Sequence, residues 1–421
     1  MKPTTRSLSF PKQRHFACLA LAAGLAYLLP PGPAKAQTHP DEVKIAVIVP
    51  LSGPWARSGE LHMKGAQLAV DDINQAGGIK ALGGAKIKLV SVDAGDTVEK
   101  AKNAAQRMLA DEPNLVGATG AFASSFTLAI TEMTERAKLP FLTLSYSDHI
   151  NERGFHYVFQ TSPTANAQAA ITLPILEKLS KEATGNPLKT AGIIMDNTAS
   201  PVSFTKDMRE SGFKKAGIDL VVDEVFTPPL ADATSMVQRL RSTRPDLVFM
   251  LSTNIPDTKL VLEKMNEMRL GQGRIPVITN GGHMGAPELL KVVDKSILEG
   301  VMVVIANWSG KGHEDINAAF RERFNEPWMP QDSVSTYGDM WVFKEAMEQA
   351  GSADRVKVAE AIRAFDTREG AAKYYAGGHL KFDEKGRRVD AETVVLQWID
   401  GEPLPVYPPS LAVREPVWPK K

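Results

Sequence analysis

The chain has 421 residues, with 49 lysines and arginines against 49 aspartates and glutamates, so its formal net charge at pH 7 is zero. This balance, without a basic block, argues against a protein that binds nucleic acid. The single cysteine, Cys18, excludes a fold held by internal disulfides.

The first 36 residues have the pattern of a secretory signal peptide. Basic residues precede the apolar run Phe16–Leu29, which is too short to span a bilayer comfortably, and Ala34 and Ala36 form a small-residue cleavage signature. An N-terminal membrane anchor is the alternative. Cleavage after Ala36 removes Cys18 and leaves 385 residues, with 44 basic and 49 acidic side chains and therefore a net charge of −5. We expect a secreted protein of two domains.

Strands alternate with helices in the first part of the mature chain. Short Val/Ile/Leu runs between amphipathic helices indicate a buried parallel sheet. The strands are predicted at Val43–Pro50, Lys86–Asp93, Asn114–Gly120 and Pro140–Ser145, and the helices at Gly59–Ala76, Thr97–Ala110 and Ser124–Lys138.

The same order returns roughly 130 residues later, an interval of domain size rather than that of a short repeat. The strands of this second set are predicted at Thr190–Asp196, Ile218–Phe226, Pro245–Ser252 and Ile275–Asn280, and its helices at Phe204–Ala216, Asp232–Thr243 and Asp257–Leu270.

The duplication predicts an α/β fold of two similar lobes, each a doubly wound parallel sheet. After Gly300 the order no longer repeats, because a further strand is followed by helices at His313–Phe324 and Ser335–Ala350. This tail must complete one or both lobes, so we expect the chain to cross between the lobes more than once.

Ligands of open parallel sheets bind beyond the carboxyl ends of the strands. The first such end, "VPLSGPWARSG" (Val49–Gly59), carries Trp55 among Gly and Pro residues that exclude a regular strand. Packing against its own helix is one interpretation of Trp55. We favour the other, in which the side chain forms an aromatic wall of a ligand pocket.

A second informative segment is "GAFASSFTLAITEM", in which a strand ends at Gly120 and a helix starts near Ser124. Small residues let a ligand approach the backbone, and a helix N terminus favours an anion. Helix capping by Ser124 or Ser125 is a compatible alternative. The next strand ends in "TLSYSDH", which places Ser145 and Ser147 on one side. These two loops could hold a small carboxylate.

Motifs of common enzyme classes are missing: the nucleophile elbow, the Walker A loop, the dinucleotide-binding glycine motif and the zinc-protease pair of histidines. The histidines of the mature chain are scattered without metal-ligand spacing. We expect no enzymatic activity, no cofactor and no metal. Asp93 and Asp96 could bind a cation, but we expect Asp96 to cap the helix that follows it.

The segments "AVIVPLSGPWARSGELHMKGAQLAVDDINQAGGI", "VDAGDT" and "GAFASS" resemble the periplasmic solute-binding proteins of branched-chain amino acid ABC transporters, over about Val43 to Arg388. The resemblance implies two lobes joined by three crossovers, which close on a ligand by a hinge. The first lobe would then hold residues 41–160 and about 305–392, and the second about 163–302 and about 396–421.

The resemblance also implies where a ligand binds. Ser124 and Ser147 take the positions that bind a carboxylate, and Ser145 takes the position whose carbonyl faces an ammonium. The other candidate contacts are Trp55, Ser58, Ala123, Tyr146, Ser200, Asn254 and Gly281.

The second lobe departs from the family pattern. The acid that usually binds the ammonium falls at Gly281, and two usual aromatic positions fall at about Ser200 and near Asn254. Asp196 or Asp257 could substitute for the acid. Otherwise the ligand is an acid or amide without an α-ammonium, such as an aromatic acid stacked on the tryptophan.

These features predict a periplasmic solute-binding subunit of an ABC importer. We expect a monomer whose partners are a small ligand and the membrane permease subunits, with no nucleic acid. A ligand sensor that serves a signalling receptor is the first alternative, and a secreted hydrolase is the second.

Overall fold

A computed structural model describes residues 40–418 of the chain. The predicted signal peptide and its cleavage site lie outside this range. Within it, none of the helices combines the length and the apolar character needed to cross a membrane.

Buried Val/Ile/Leu runs form most of the strands. In chain order the strands are β1 (Glu42–Val49), β2 (Lys86–Asp93), β3 (Leu115–Gly120), β4 (Phe141–Thr143), β5 (Val158–Gln160), β6 (Thr190–Asp196), β7 (Asp219–Phe226), β8 (Leu247–Leu251), β9 (Val277–Asn280), β10 (Met302–Ile305), β11 (Asp366–Thr367), β12 (Leu380–Lys381), β13 (Val394–Ile399) and β14 (Glu402–Tyr407).

The helices cover the faces of the sheets. They are α1 (Ala56–Gln75), α2 (Val98–Asp111), α3 (Ser124–Arg136), α4 (Ala165–Thr184), α5 (Ala199–Asp207), α6 (Phe213–Ala216), α7 (Thr234–Thr243), α8 (Ile255–Glu267), α9 (Leu289–Val292), α10 (Lys295–Leu298), α11 (Glu314–Phe324), α12 (Gln331–Ala350) and α13 (Arg355–Arg363).

Two large sheets carry the fold. The first has five strands in the order β2-β1-β3-β4-β5, and all its pairings are parallel. The second has seven strands in the order β14-β13-β10-β9-β8-β6-β7; it is parallel from β10 to β7, while β13 and β14 add an antiparallel edge. Every residue of β3 and of β8 is buried, as expected for parallel strands covered on both faces. The predicted fold class is confirmed.

The chain crosses between the sheets three times. It leaves the first sheet after β5, returns after β10 to place α12 against α1, and re-enters the second sheet at β13. The α1–α12 contact is close, since a Cβ on Gly65 would lie 2.0 Å from the Ser333 carbonyl oxygen. The three-crossover topology is therefore confirmed, and the residue bounds of the two lobes stay a prediction.

Buried Arg388 connects the first and third crossovers. Its Nε donates to the Thr161 carbonyl oxygen at 2.6 Å, and the backbone N–H of Gln160 donates to the Gly386 carbonyl oxygen at 2.8 Å. Because these bonds lie between the two connections, the connections form one bonded unit rather than two independent strands.

Several helix starts differ from the sequence predictions. Helix α5 begins at Ala199 rather than Phe204, and α12 begins at Gln331 rather than Ser335. The prediction that Asp96 caps α2 is wrong. The N-cap is Thr97, whose hydroxyl accepts from the Lys100 backbone N–H at 3.2 Å. Strand β5 and helices α4 and α13 are additions to the predicted elements.

Candidate ligand-binding cavity

Carboxyl ends of strands from both sheets meet around a cavity of about 310 Å³. Its lining comes from the loops after β1, β2, β3 and β4 of the first sheet, the loops after β6, β8 and β9 of the second, and the first turn of α12. This is the place where open parallel sheets bind their ligands.

Seven of the ten residues that the sequence predicts for the site line this cavity. Those seven are Trp55, Ser58, Ala123, Ser124, Tyr146, Ser200 and Gly281. The structure places Ser145, Ser147 and Asn254 outside the lining, each buried in hydrogen bonds with other protein groups.

Trp55 forms part of the cavity wall. A 3₁₀ turn, Gly53–Trp55, follows β1 and carries the side chain to the edge of Phe126, with the ring centroids 5.4 Å apart. Its indole Nε1 donates to the carbonyl oxygen of Thr253, 3.1 Å away in the loop after β8 of the second sheet. The tryptophan thus contacts both sides of the cavity.

The start of helix α3 faces the cavity. Ala123 occupies the N-cap position and has no side-chain capping bond, so the expectation that a serine caps this helix is wrong. Ser124 is the first helical residue, and its hydroxyl accepts the backbone N–H groups of Tyr146 and Ser147 at 3.2 and 3.1 Å. This positions the β4 loop beside the positive end of the α3 dipole.

The polar groups of Ser145 and Ser147 form hydrogen bonds with other protein groups rather than facing the cavity. The Ser145 hydroxyl lies 2.6 Å from the Thr127 hydroxyl, and the Ser145 carbonyl oxygen accepts from Gln160 Nε2 at 2.6 Å. The Ser147 hydroxyl lies 3.0 Å from that of Ser203 on helix α5. Both residues therefore support the loop behind the lining.

The acids expected to replace the missing family acid do not line the cavity. The Asp196 carboxylate accepts from the backbone and hydroxyl groups of Thr198 and Thr253. Asp257 accepts from the backbone N–H of Leu230, and Asn254 is the N-cap of α8. These bonds fix loops of the second sheet and leave neither carboxylate facing the cavity.

Two acids line the cavity: Asp96, directly before the N-cap of α2, and Asp332, in the first turn of α12. Burial raises the pKa of Asp332 to about 7, although Ser58 and Gln331 beside it oppose the shift. His62 Nε2 lies 3.8 Å from Asp332 Oδ1, but burial lowers the pKa of His62 to about 3, so the imidazole is neutral at pH 7. The pair is therefore not a salt bridge at that pH.

Asp332 was not among the predicted site residues because the helix was expected to begin at Ser335 rather than Gln331. The signal was available in "MPQDS", where Pro330 directly precedes Gln331 and Asp332: a proline followed by polar residues ahead of an apolar helical run marks a helix start. His283 also lines the cavity, in the 3₁₀ turn after β9. Burial lowers the pKa of His283 to about 4, so its ring is also neutral at pH 7.

The backbone explains why no acid stands at Gly281. This residue has φ +108°, which side chains rarely adopt. A Cβ on the next residue, Gly282, would lie 2.3 Å from Asp332 Oδ1 and 2.7 Å from Gln331 Nε2. The glycine pair is thus required for the close approach of the β9 loop to the start of α12.

Two α/β lobes that face one cavity from the carboxyl ends of their strands define a two-lobed ligand-binding protein. The chain belongs to the periplasmic binding protein family, whose model matches residues 42–402. Within that family it is a leucine-binding-protein-like member of the type I fold, as the sequence motifs indicate.

Relatives and solved structures agree with this assignment. The chain is 28% identical to Leu/Ile/Val-binding protein homolog 7 of Brucella melitensis over 96% of its own length and 98% of the relative. It superposes with a TM-score of 0.72 and 19% identity on the branched-chain amino acid transporter substrate-binding protein LivJ of Streptococcus pneumoniae in complex with isoleucine, covering 86% of this chain and 99% of that one.

A second solved structure is an ABC transporter solute-binding protein of Rhodopseudomonas palustris in complex with 3,4-dihydroxybenzoic acid. The TM-score is again 0.72, with 20% identity over 86% of this chain and 95% of that one. At these identities the two structures establish a common fold.

Proposed function

We propose that the protein is the solute-binding subunit of an ABC importer and that it captures a small carboxylate in the cavity between its sheets. The family implies a periplasmic location, and the relatives named above are transporter or amino-acid-binding proteins. In this role the protein performs no chemistry, acts as a monomer and delivers its ligand to the membrane permease.

The observation that carries the proposal is the number of helix starts at the cavity. Lining residues include Thr97 and Val98 at the start of α2, Ser124 and Ser125 at the start of α3, and Thr198 before α5. Helix N termini present N–H groups and a positive dipole end, so together they favour an anion. The rings of Trp55 and Phe122 supply apolar walls for the rest of the ligand.

The distance between the polar groups at the start of α3 and those at the start of α12 supports a ligand without an α-ammonium. The backbone N–H of Tyr146 donates to the Ser124 hydroxyl, and the Tyr146 hydroxyl donates to Gln331 Oε1 at 2.7 Å. One rigid tyrosine side chain therefore spans the distance from the start of α3 to the start of α12, where Asp332 lies. The carboxylate and ammonium of an α-amino acid share one carbon and are too close together to reach both ends.

A thermal-shift screen of amino acids, aromatic acids, aliphatic acids and amides tests the proposal. A ligand at 100 times its Kd stabilises the folded protein by about 2.7 kcal/mol, which is readily measured. We expect carboxylates without an α-ammonium to give the largest shifts. If no carboxylate shifts the melting temperature, the protein is not a carboxylate-binding protein; if leucine or isoleucine gives the largest shift, the ligand class is wrong.

A further inference from the structure

A group of charged side chains lies in a groove beside the ligand cavity. The groove has a volume of about 890 Å³, and none of the residues that line it also lines the cavity. Its walls come from the start of α1 and the end of α11 on one side, and from the segment between β9 and β10 of the second sheet on the other. A charge pair across this groove can therefore act on the distance between the two sides without touching a ligand.

Arg57, in the first turn of α1, is held in place by acids of its own side. Its Nη1 donates to Glu60 Oε2 at 2.8 Å, and its Nη2 donates to Glu326 Oε1 at 2.5 Å. Glu60 is on α1 itself, and Glu326 lies between α11 and α12, the helix that packs against α1. The Arg57 side chain is 17% exposed. Because these bonds fix its conformation, a further partner costs Arg57 little additional side-chain entropy.

Glu288 brings an opposite charge from the side of the second sheet. Its Oε2 lies 3.4 Å from Arg57 Nε, and its side chain is 26% exposed. Arg57 Nε is buried and has no hydrogen-bond partner among the described residues. An N–H···O bond is usually about 2.7–3.2 Å long, so a slightly closer approach of the two sides would turn this ion pair into a hydrogen bond. The contact therefore favours closure.

We propose that Arg57 and Glu288 form an electrostatic latch that stabilises the closed arrangement of the two sides, whether or not a ligand is bound. When the sides separate, Arg57 keeps its two acids, whereas Glu288 keeps Lys291, which lies 3.2 Å away and is 67% exposed. Solvent screens such an exposed pair, so it replaces little of the attraction that is lost across the groove.

The latch has two consequences for ligand capture. A ligand that binds the closed form meets a larger closed population, so the latch raises the apparent affinity for every such ligand by the same factor. Salt should weaken this effect, because added ions screen the attraction between partly exposed charges. The latch thus makes closure depend on ionic strength.

Single-molecule fluorescence energy transfer in the ligand-free mature protein tests the latch. Dyes attached at Glu99→Cys on α2 and at Lys206→Cys on α5 report the distance between the two sides. Both positions are exposed, and the single native cysteine, Cys18, lies in the predicted signal peptide. The ratio of closed to open molecules is the quantity compared between variants.

We expect Glu288→Gln to lower the closed-to-open ratio about two- to fivefold in about 0.01 M NaCl, as the usual strength of exposed ion pairs implies. Glu288→Lys places a like charge beside Arg57 and should lower the ratio further. In about 1 M NaCl, where the Debye length is about 3 Å, the wild type should approach the ratio of Glu288→Gln.

Glu60→Gln is the matched control, because Glu60 also contacts Arg57 but comes from the same helix. Its closed-to-open ratio should equal that of the wild type. An unchanged ratio in both Glu288 variants overturns the latch, as does an equal fall in the Glu60 variant. Because no ligand is added, this failure would leave the proposed function standing. The proposed function fails separately, if no carboxylate of the thermal-shift screen binds.

Discussion

Single side chains of the cavity have separable roles, and Trp55 is the simplest to test. The ring lines the cavity beside Phe126 and lies on a short turn rather than in the core. Trp55→Ala should weaken ligand binding about tenfold or more, since burying a large apolar side chain contributes about 1.5–3 kcal/mol. Calorimetric titration beside the melting temperature measures both effects. A large loss of melting temperature with normal binding would mean that this tryptophan serves packing.

The two serines assigned to the carboxylate should differ. Ser124 lines the cavity and holds two backbone N–H groups of the β4 loop, whereas the Ser147 hydroxyl contacts Ser203 behind the lining. We therefore expect Ser124→Ala to weaken binding more than Ser147→Ala does. The two titrations, compared at one temperature, decide this, and the reverse order would restore Ser147 as the direct ligand contact.

The raised pKa of Asp332 leads us to expect that the stability of the ligand-free protein depends on pH. Its pKa is about 7 in the fold and about 3.8 when unfolded, so the folded state is penalised as pH rises above 3.8, and the penalty is complete above pH 7. A shift of this size corresponds to a few kcal/mol, at about 1.4 kcal/mol per pKa unit. Asp332→Asn removes the ionisation and should raise the melting temperature at pH 8 more than at pH 4. An equal change at both pH values would show that the carboxyl is not destabilised by burial.

Between elements, the contact of the β9 loop with the start of α12 depends on Gly282. Gly282→Ala would place a methyl group 2.3 Å from Asp332 Oδ1, so the loop or the helix must move. We expect a loss of about 1–3 kcal/mol of stability and a loss of binding. Gly212→Ala is the matched control, because the nearest atom to its added Cβ would be 3.4 Å away. Unchanged binding in Gly282→Ala would show that the contact does not shape the cavity.

A comparison of predicted and observed element bounds shows which parts of the fold the sequence alone predicts. Strands β2 and β6 have the predicted bounds, because the apolar residues of each strand end at an aspartate, Asp93 or Asp196, that a turn follows. Helix starts were less well predicted: α5 begins five residues and α12 four residues before the predicted start, where polar residues such as Ser200 and Gln331 give no apolar period. Because the predicted start of α12 was too late, Asp332 was not recognised as a residue of the site. Local pattern identifies an element, but the residues in its first turn depend on contacts with distant parts of the chain.

Part of the candidate site was predictable from the sequence, because some of its residues directly follow predicted strands. Residues directly after a strand, such as Trp55 and Ser124, could be placed because parallel strands share a carboxyl edge. The sequence could not show that Ser124 faces the cavity and Ser147 does not, because both residues follow strands and only packing distinguishes their positions. Gln331 and Asp332 come from the tail, where the duplicated order no longer indicates a position.

Across the molecule as described, the bonds that join the two sides of the cavity are mostly neutral hydrogen bonds. They include Trp55 to Thr253, the Ser125 hydroxyl to the Ala199 backbone N–H at 3.2 Å, and the serine pair behind the lining, beside one partly exposed ion pair, Arg57 to Glu288 at 3.4 Å. Each neutral hydrogen bond contributes only about 0.5–1.5 kcal/mol net, so they hold the closed form weakly. Ligand should therefore add most of the free energy of closure. Small-angle scattering is expected to show a smaller radius of gyration with saturating ligand, and an unchanged profile would count against hinge closure.

The glycine pair after β9 also limits how the choice of ligand can evolve. An acid restored by Gly281→Glu would need a backbone conformation at φ +108° that side chains rarely adopt, and its Cβ would lie 3.0 Å from the His283 ring. One substitution is therefore insufficient to place the family's acid at this position without strain. The main chain between β9 and α9 would have to change conformation first. The chemistry available at this end of the cavity is thus set by backbone geometry as well as by side chains.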